Sequence, residues 1–287
     1  MRRWAVICNP GAGKYQPAML DAIDAVLRDA EIEPLISLSS GPGDVRRLAR
    51  EVDGVERVLV YGGDGTLSEA VEGLMGRNLP LGYLPGGTGN STAREIGLPL
   101  EPLAALRALI PGRVAPVRPG RVDDRLFINM AGFGFDGAVV HALSSDSKKR
   151  WGHFSYVVNG FACMVQRHPL FRVMLPDGRV LRVVWAVAAR TRHYAGFIIM
   201  HPRAGLDRPT LGLSAVNGWM LLPFGILRLL LRIPLVGPGL NLEEHTAWTL
   251  QADEPIHAHL DGDYYREGLE FRVGLSGETL LLVYPTL

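Results

Sequence analysis

Asp64 stands among glycines, in Gly62-Gly63-Asp64-Gly65-Thr66, directly after the apolar run from Arg57 to Tyr61. Glycines at such a turn let backbone N–H groups approach phosphate oxygens closely. A carboxylate in their midst would repel a bare phosphate, so the motif calls for a bridging Mg2+ or a hydroxyl to deprotonate. Gly86-Gly87-Thr88-Gly89-Asn90 repeats the arrangement after Leu81 to Leu84, and Pro85 leads into it. Asn90 is placed to cap a helix whose N-terminus favours anions. The turn that comes first in the chain, Asn9-Pro10-Gly11-Ala12-Gly13-Lys14, follows the apolar run Trp4 to Cys8. It is not a Walker loop, because Cys8 stands where that loop has its first glycine and Tyr15 where it has Ser or Thr. Late in the chain, Leu260-Asp261-Gly262-Asp263 offers two carboxylates two residues apart. In a strand they would share a face; as Asp-Gly-Asp they would also make a good hairpin turn.

Other groupings point nowhere. Gly132-Phe133-Gly134-Phe135-Asp136-Gly137 spells GxGxxG, but the region about 20 residues on, Phe154 to Val158, lacks the carboxylate that a dinucleotide site needs. His257 and His259 flank Ala258 and would share a strand face. With His193, His201 and no nearby cysteine they do not complete a zinc site.

The elements that must position these residues alternate at first. Apolar strands at Trp4 to Cys8, Pro34 to Leu38, Arg57 to Tyr61 and Leu81 to Leu84 are separated by helical spacings. Those spacings start at Pro17, run from Val45 to Val52, and run from Ser68 to Met75. Alternation of this kind predicts an α/β fold, a parallel sheet with flanking helices, whose strand ends carry the three turns. Prolines and glycines crowd Pro111 to Pro119, and beyond them β signals dominate. Hairpins are expected around Asp123-Asp124 and Asp177-Gly178, with one helix at about Phe154 to Gln166. The chain therefore divides into an α/β domain over 1–118 and a β-rich, sandwich-like domain over 119–278.

The 287 residues are 47% hydrophobic with a formal net charge of +1, which excludes disorder and argues against a nucleic-acid partner. Two cysteines, Cys8 and Cys163, make no disulfide framework, and no secretory signal is visible, so a reducing cytoplasmic compartment is expected.

Asn9-Pro10 with Gly13, Gly62 to Glu69, Gly86 to Asn90, Ala131 to Asp136 and Leu260 to Asp263 occur in this order over nearly the whole chain. Together they resemble the diacylglycerol kinase catalytic domain family, soluble lipid kinases that include bacterial diacylglycerol kinases and sphingosine kinases. The resemblance implies a two-domain kinase, with ATP in the interdomain cleft and a lipid hydroxyl as acceptor. It also implies that the last strand, within 279–287, returns to the first domain. Residue by residue, it implies a nucleotide site of Asn9, Gly63, Asp64, Gly65, Thr66, Gly87 and Thr88, with Glu69 orienting the loop or merely facing solvent. It makes Asp261 the base, Asp64 and Asp263 the Mg2+ carboxylates, and Asp136 the contact to the acceptor's head group. Asp64 and Asp261 could exchange roles, and Asp136 could instead be a helix N-cap.

Two departures from the family stand out. Ser91 replaces a common Asp, which bears on the acceptor's identity. The stretch Leu206 to Leu211 keeps only Asp207 of an acidic metal loop. A kinase acting on a soluble acceptor, as NAD kinases do, and a catalytically silent binding protein are the alternatives.

Trp219 to Val236 is strongly apolar but is cut by Pro223, Gly225, Arg228, Arg232 and Pro234, too often for a spanning helix. It could lie in a membrane interface with Arg228 and Arg232 snorkelling, or pack on the second domain. The basic run Lys148-Lys149-Arg150-Trp151 suits an anionic membrane surface or a solvated face. Peripheral membrane contact is the expectation.

Overall fold

A computed structural model describes residues 2–144, 168–194, 196 and 198–286. The basic run at 148–151, Cys163 and the helix expected near 154–166 lie outside the described residues. Two compact units are present, one of Met1–Pro119 with Gly277–Leu287 and one of Gly120–Ser276.

The first unit is built on a six-stranded sheet in the order β2-β1-β3-β4-β18-β5. β1 (Arg2–Cys8), β2 (Ile32–Leu38), β3 (Arg57–Gly62) and β4 (Leu81–Pro85) run parallel. The apolar runs of β1, β3 and β4 are buried on both faces, as parallel strands require, while the edge strand β2 leaves Leu35 and Leu38 exposed. α1 (Ala18–Asp29) turns Ile23 and Leu27 inward, with Pro17 at its N-cap, where a missing N–H costs nothing. α2 (Asp44–Glu51) buries Val45 and Ala49. α5 (Pro102–Leu109) is capped by Glu101, whose carboxylate accepts the N–H groups of Leu103 and Ala104. β18 (Leu280–Tyr284) inserts between β4, to which it is parallel, and β5 (Arg113–Val117), to which it is antiparallel. The return of the final strand expected from the family resemblance is thus observed.

Cys8, at the buried end of β1, has its thiol pushed up to about 12 by burial. It stays protonated, hence unreactive, at neutral pH. Native protein treated with iodoacetamide at pH 8 should leave the Cys8 peptide unlabelled, and urea should expose it. Labelling without denaturant would contradict the burial.

One start differs from expectation. α3 (Asp64–Leu74) begins at Asp64 rather than near Ser68, so Gly63 alone separates it from β3. Asp64, Gly65 and Thr66 make the first helical turn, because an acidic residue at that position favours the helix dipole. α4 (Ser91–Glu95) is a little over one turn long, too short to carry the anion-favouring dipole expected after Asn90.

The second unit is antiparallel. Among the described residues, ten strands link through hydrogen bonds in the order β15-β14-β11-β8-β16-β17-β6-β7, with β9 attached to β16 and β10 to β9. β6 (Gly120–Val122) and β7 (Arg125–Phe127) form the hairpin expected at Asp123-Asp124. β9 (Phe171–Met174) and β10 (Val180–Val183) form the one at Asp177-Gly178. The chain breaks at Val184, and β11 (Trp185–Ala189) leaves to pair with β8 (Met130–Gly134) and β14 (Leu211–Val216). β16 (Ala247–Leu260) carries the fork: Thr249 to Ala252 pair with β9, and Ala258 to Leu260 pair with β8. β15 (Leu240–His245) and β17 (Asp263–Leu275) complete the path, and a small ribbon joins β12 (His193–Tyr194) to β13 (Ile198–Ile199). α6 (Phe135–Ser144) follows β8 without a linker.

Arg190, directly after β11, is fully buried. Its Nη1 donates to the carbonyls of Arg208 and Thr210 at 3.1 and 2.8 Å, and Nη2 to that of Leu206 at 2.6 Å. A guanidinium therefore gathers the loop 206–210, while Asp207 on the same loop is exposed.

The apolar segment packs part of its surface on the second unit and leaves the rest exposed. A single 3-10 turn (Trp219–Leu221) leads into α7 (Leu222–Leu230), which buries Leu222, Gly225 and Leu229. The remaining large side chains, Trp219, Met220, Phe224, Leu227, Leu230 and Leu231, are half or more exposed. Arg228 and Arg232 do not share a helical face, because the helix stops at Leu230 and Arg232 takes a positive φ. Arg228 instead donates to the Pro234 carbonyl. Among the described residues, no helix is long and apolar enough to cross a membrane.

Candidate functional site

The carboxyl ends of β1, β3 and β4 lie side by side and bring the three glycine turns together. Asn9 ties the first turn to the helix after β3: its Nδ2 donates to Thr66 Oγ1 at 2.9 Å, and its Oδ1 accepts the Gly11 N–H at 2.8 Å. Lys14 N–H reaches the Gly86 carbonyl at 3.0 Å, which joins the first turn to the third. The second and third turns meet backbone to backbone. A Cβ built on Gly87 would lie 2.6 Å from Gly63 Cα, so any side chain there would force the two strand ends apart. Asn90 takes the left-handed conformation, and its side chain folds back to the Gly87 N–H and carbonyl and to the Tyr83 hydroxyl. It stands at the cap position of α4, but its side chain holds the turn rather than the helix.

Asp64, at the start of α3, accepts the Ser91 N–H at 3.1 Å. The chain's departure from the family at Ser91 thus lies directly beside that carboxylate. The expected nucleotide residues Asn9, Gly63, Asp64, Gly65, Thr66, Gly87 and Thr88 all fall on this edge. Glu69 neither joins them nor faces solvent. Its carboxylate accepts the N–H groups of Gly43 and Arg46 at 2.9 and 3.4 Å, at the N-terminus of α2. Burial raises the Tyr83 hydroxyl well above its ordinary range, with the Asp64 charge adding to the effect, so it remains a donor.

In the second unit 261–263 takes the hairpin turn, the second of its two readings. Asp261 and Asp263 do not share a strand face. β16 ends at Leu260, β17 starts at Asp263, and the two terminal residues pair. The connection is a two-residue turn in which Asp261 and Gly262 both have positive φ, the geometry that matches the twist of a hairpin. The Asp261 carboxylate points back into the sheet and accepts the N–H groups of Ile128, Asn129 and Met130 at 2.8–2.9 Å. Asp263 is exposed.

Asp136 is the second residue of α6, inside its first turn rather than at the cap. It is buried and bonded at both oxygens, to the Tyr194 hydroxyl at 2.7 Å and to His259 Nε2 at 2.9 Å. The glycines of the GxGxxG string serve packing in an antiparallel sheet. A Cβ on Gly132 would come within 2.1 Å of Asp136 and 2.3 Å of His259. His257 and His259 do face the same helix, where His257 stacks on His141 with centroids 4.6 Å apart. Burial and the neighbouring His141 lower the His257 pKa. His201 bonds the Glu243 carbonyl and is likewise lowered by burial.

Among the described residues, no three His, Cys, Asp or Glu side chains come close enough to hold a metal by themselves. The arrangement fits the other way of binding Mg2+, in which one or two carboxylates share the ion with substrate phosphates. Asp64, at a helix N-terminus beside glycine backbone, is a carboxylate of that kind.

Tyr194, His259 and Arg190 had no signal in the sequence beyond their residue types. Their partners lie far away along the chain, and only the folded sheet brings them together.

Residues 3–122 match the family model of the diacylglycerol kinase catalytic domain. A protein of Pseudomonas aeruginosa described as a probable lipid kinase, YegS-like, is 32% identical over 273 residues, covering 91% of this chain and 88% of its own. A diacylglycerol kinase of Mycobacterium tuberculosis is 32% identical over 280 residues, with 90% and 87% covered. The crystal structure of a diacylglycerol kinase from Bacillus anthracis superimposes with a TM-score of 0.80 over 99% of this chain and 97% of that one, at 20% identity.

Proposed function

The chain belongs to the diacylglycerol kinase catalytic domain family and is a lipid kinase, and on that premise we propose that it moves the γ-phosphate of ATP to a hydroxyl of a diacylglycerol-like or sphingoid lipid. One observation carries the reading: three strand ends of the first unit meet in glycine backbone around Asp64, so closely that a Cβ at Gly87 would collide with Gly63. Backbone N–H groups and the Asn9–Thr66 pair would face the phosphates there, with Gly65 and Thr88 on the same edge. A nucleotide-borne Mg2+, held by Asp64, would neutralise charge on the phosphates. The acceptor oxygen forms a bond to the γ-phosphorus as the bond to the bridging oxygen breaks, and ADP leaves. The hydroxyl proton goes to Asp261. Three backbone donors fix the place of that carboxylate, and transfer through a loose transition state asks more of its position than of its basicity. Asp136 meets the acceptor's head group.

The exposed face of α7 supports peripheral contact with an anionic bilayer. Between Asp207 and Glu243 there is no carboxylate, while Arg208, Arg228 and Arg232 are present. A continuous apolar face with cations and no acids suits an interface where apolar side chains enter the acyl boundary.

The test is transfer of labelled γ-phosphate from Mg-ATP to an extracted lipid mixture, presented both as anionic vesicles and dispersed in detergent. Solvent-extractable label that is absent with Asp64→Asn is the expected result, and chromatography of the product identifies the acceptor. Leu227→Glu should lose transfer on vesicles and keep it in detergent; equal rates on vesicles would remove α7 from membrane contact. Label confined to an added soluble nucleotide or sugar would replace lipid as the acceptor. ATP binding with no transfer at all would make the protein a silent binder.

A further inference from the structure

In the second unit one side chain joins Asp136 to the turn that carries Asp261. His259, on β16, is fully buried. Its Nε2 bonds Asp136 Oδ2 at 2.9 Å, and its Nδ1 accepts the Gly262 backbone N–H at 3.3 Å. A nitrogen that accepts carries no proton, so the ring proton sits on Nε2 and is donated to Asp136. The Tyr194 hydroxyl holds the other oxygen of Asp136. Beyond Gly262, Asp261 gathers the N–H groups of Ile128, Asn129 and Met130, the entrance to β8. The sheet makes room for this arrangement at Gly132, where a Cβ would collide with both Asp136 and His259.

We infer that His259 is a positioning residue for phosphoryl transfer, which fixes the Asp261-Gly262 turn and couples it to the state of Asp136. The inference rests on the proposed function, in which Asp136 meets the acceptor. Both ring nitrogens are engaged, so His259 does not itself take the acceptor's proton; it acts through the Gly262 amide. A head group that bonds Asp136 competes with His259 for the same carboxylate, and any shift of the imidazole passes to the turn.

Two substitutions separate the two ends of the imidazole. In His259→Asn the amide oxygen falls near the place of Nδ1, so the bond from Gly262 survives and the one to Asp136 is lost. In His259→Gln the amide nitrogen reaches the place of Nε2, so Asp136 keeps its donor and Gly262 loses its acceptor. Misplacement of a reacting group by about 1 Å can cost on the order of 100-fold in rate. His259→Gln should therefore lower kcat by roughly 10- to 100-fold with little change in KM for the lipid. His259→Asn should raise that KM and largely retain kcat. Amide hydrogen exchange supplies a readout independent of turnover. Gly262 and residues 128–130 should exchange faster in His259→Gln than in wild type, and at near wild-type rates in His259→Asn.

Equal loss of kcat in both variants, in step with falling Tm, would mean that the ring only fills space and would overturn the inference. So would unchanged Gly262 protection in His259→Gln. If wild type moves no phosphate to lipid, the proposed function falls, and the exchange comparison alone decides whether His259 holds the turn.

Discussion

Asp64→Asn is expected to lower kcat by about 100- to 1,000-fold, the range found when one charge-stabilising group is removed from a transition state, while Tm stays near that of wild type. The structure explains why these effects separate. The Ser91 N–H donates to Asp64, and an asparagine carbonyl oxygen can accept the same bond. What disappears is the negative charge at the first turn of α3, beside the glycine cradle. Steady-state kinetics with saturating ATP and lipid, together with a thermal melt, check both halves. A near-normal kcat would take Asp64 out of the chemistry. Asp261→Asn is a less clean experiment: its carboxylate accepts three backbone N–H groups, and an amide would turn an NH2 toward at least one of them. That variant should lose about 1–3 kcal/mol of stability as well as activity, so a dead Asp261→Asn would not by itself identify the base.

Arg190→Met is expected to destabilise the second unit by roughly 3–5 kcal/mol, because three carbonyls lose charge-assisted donors and each buried group left unsatisfied costs about 1–3 kcal/mol. The guanidinium is fully buried and serves the carbonyls of Leu206, Arg208 and Thr210. Methionine fills much of the volume but donates to none of them. Calorimetry should show a melting transition lowered by about 10 °C, since each kcal/mol shifts Tm by roughly 2–4 °C in a domain of this size. Arg190→Lys should recover part of the loss, because an ammonium keeps the charge without the planar fork that reaches several carbonyls. A shift below about 1 °C in Arg190→Met would show that the loop is held by something else.

The parallel sheet was legible because β1, β3 and β4 are short apolar runs that break into Asn-Pro-Gly, Gly-Gly and Pro-Gly-Gly turns. The return of β18 could be read only through the family resemblance, since Leu280 to Tyr284 looks like any apolar strand. The start of α3 was hidden because Gly65 and Thr66 are poor helix formers. Their place in the helix comes from the packing of Thr66 against Asn9 and of Gly63 against Gly87, contacts made 57 and 24 positions apart in the chain. At Asp261-Gly262 the sequence held both answers, strand face and hairpin turn. The long flanking strands decide for the turn, because β16 and β17 pair up to its edge. Glu69 was placed on the right helix with the wrong neighbour: the helix face it occupies meets the start of α2, which periodicity alone does not reveal. Arg190 follows a strand of small residues and reads as a surface charge; only carbonyls 16 to 20 residues further on bury it.

The place of β18 bears on the order in which the chain acquires its structure. Leu280, Leu282 and Val283 are fully buried between β4 and β5, so the first sheet is incomplete without them. On the ribosome, residues 120–276 are made between the bulk of that sheet and its closing strand. At about 5–20 residues per second, this interval lasts on the order of 10–30 s. Throughout it the nascent chain carries β4 and β5 with open edges, exposed to other nascent chains and to chaperones. The second unit, whose strands are contiguous in sequence, can finish first. The unit translated first is therefore the one completed last, and a fragment ending near residue 120 would retain the glycine turns without the strand that joins β4 to β5.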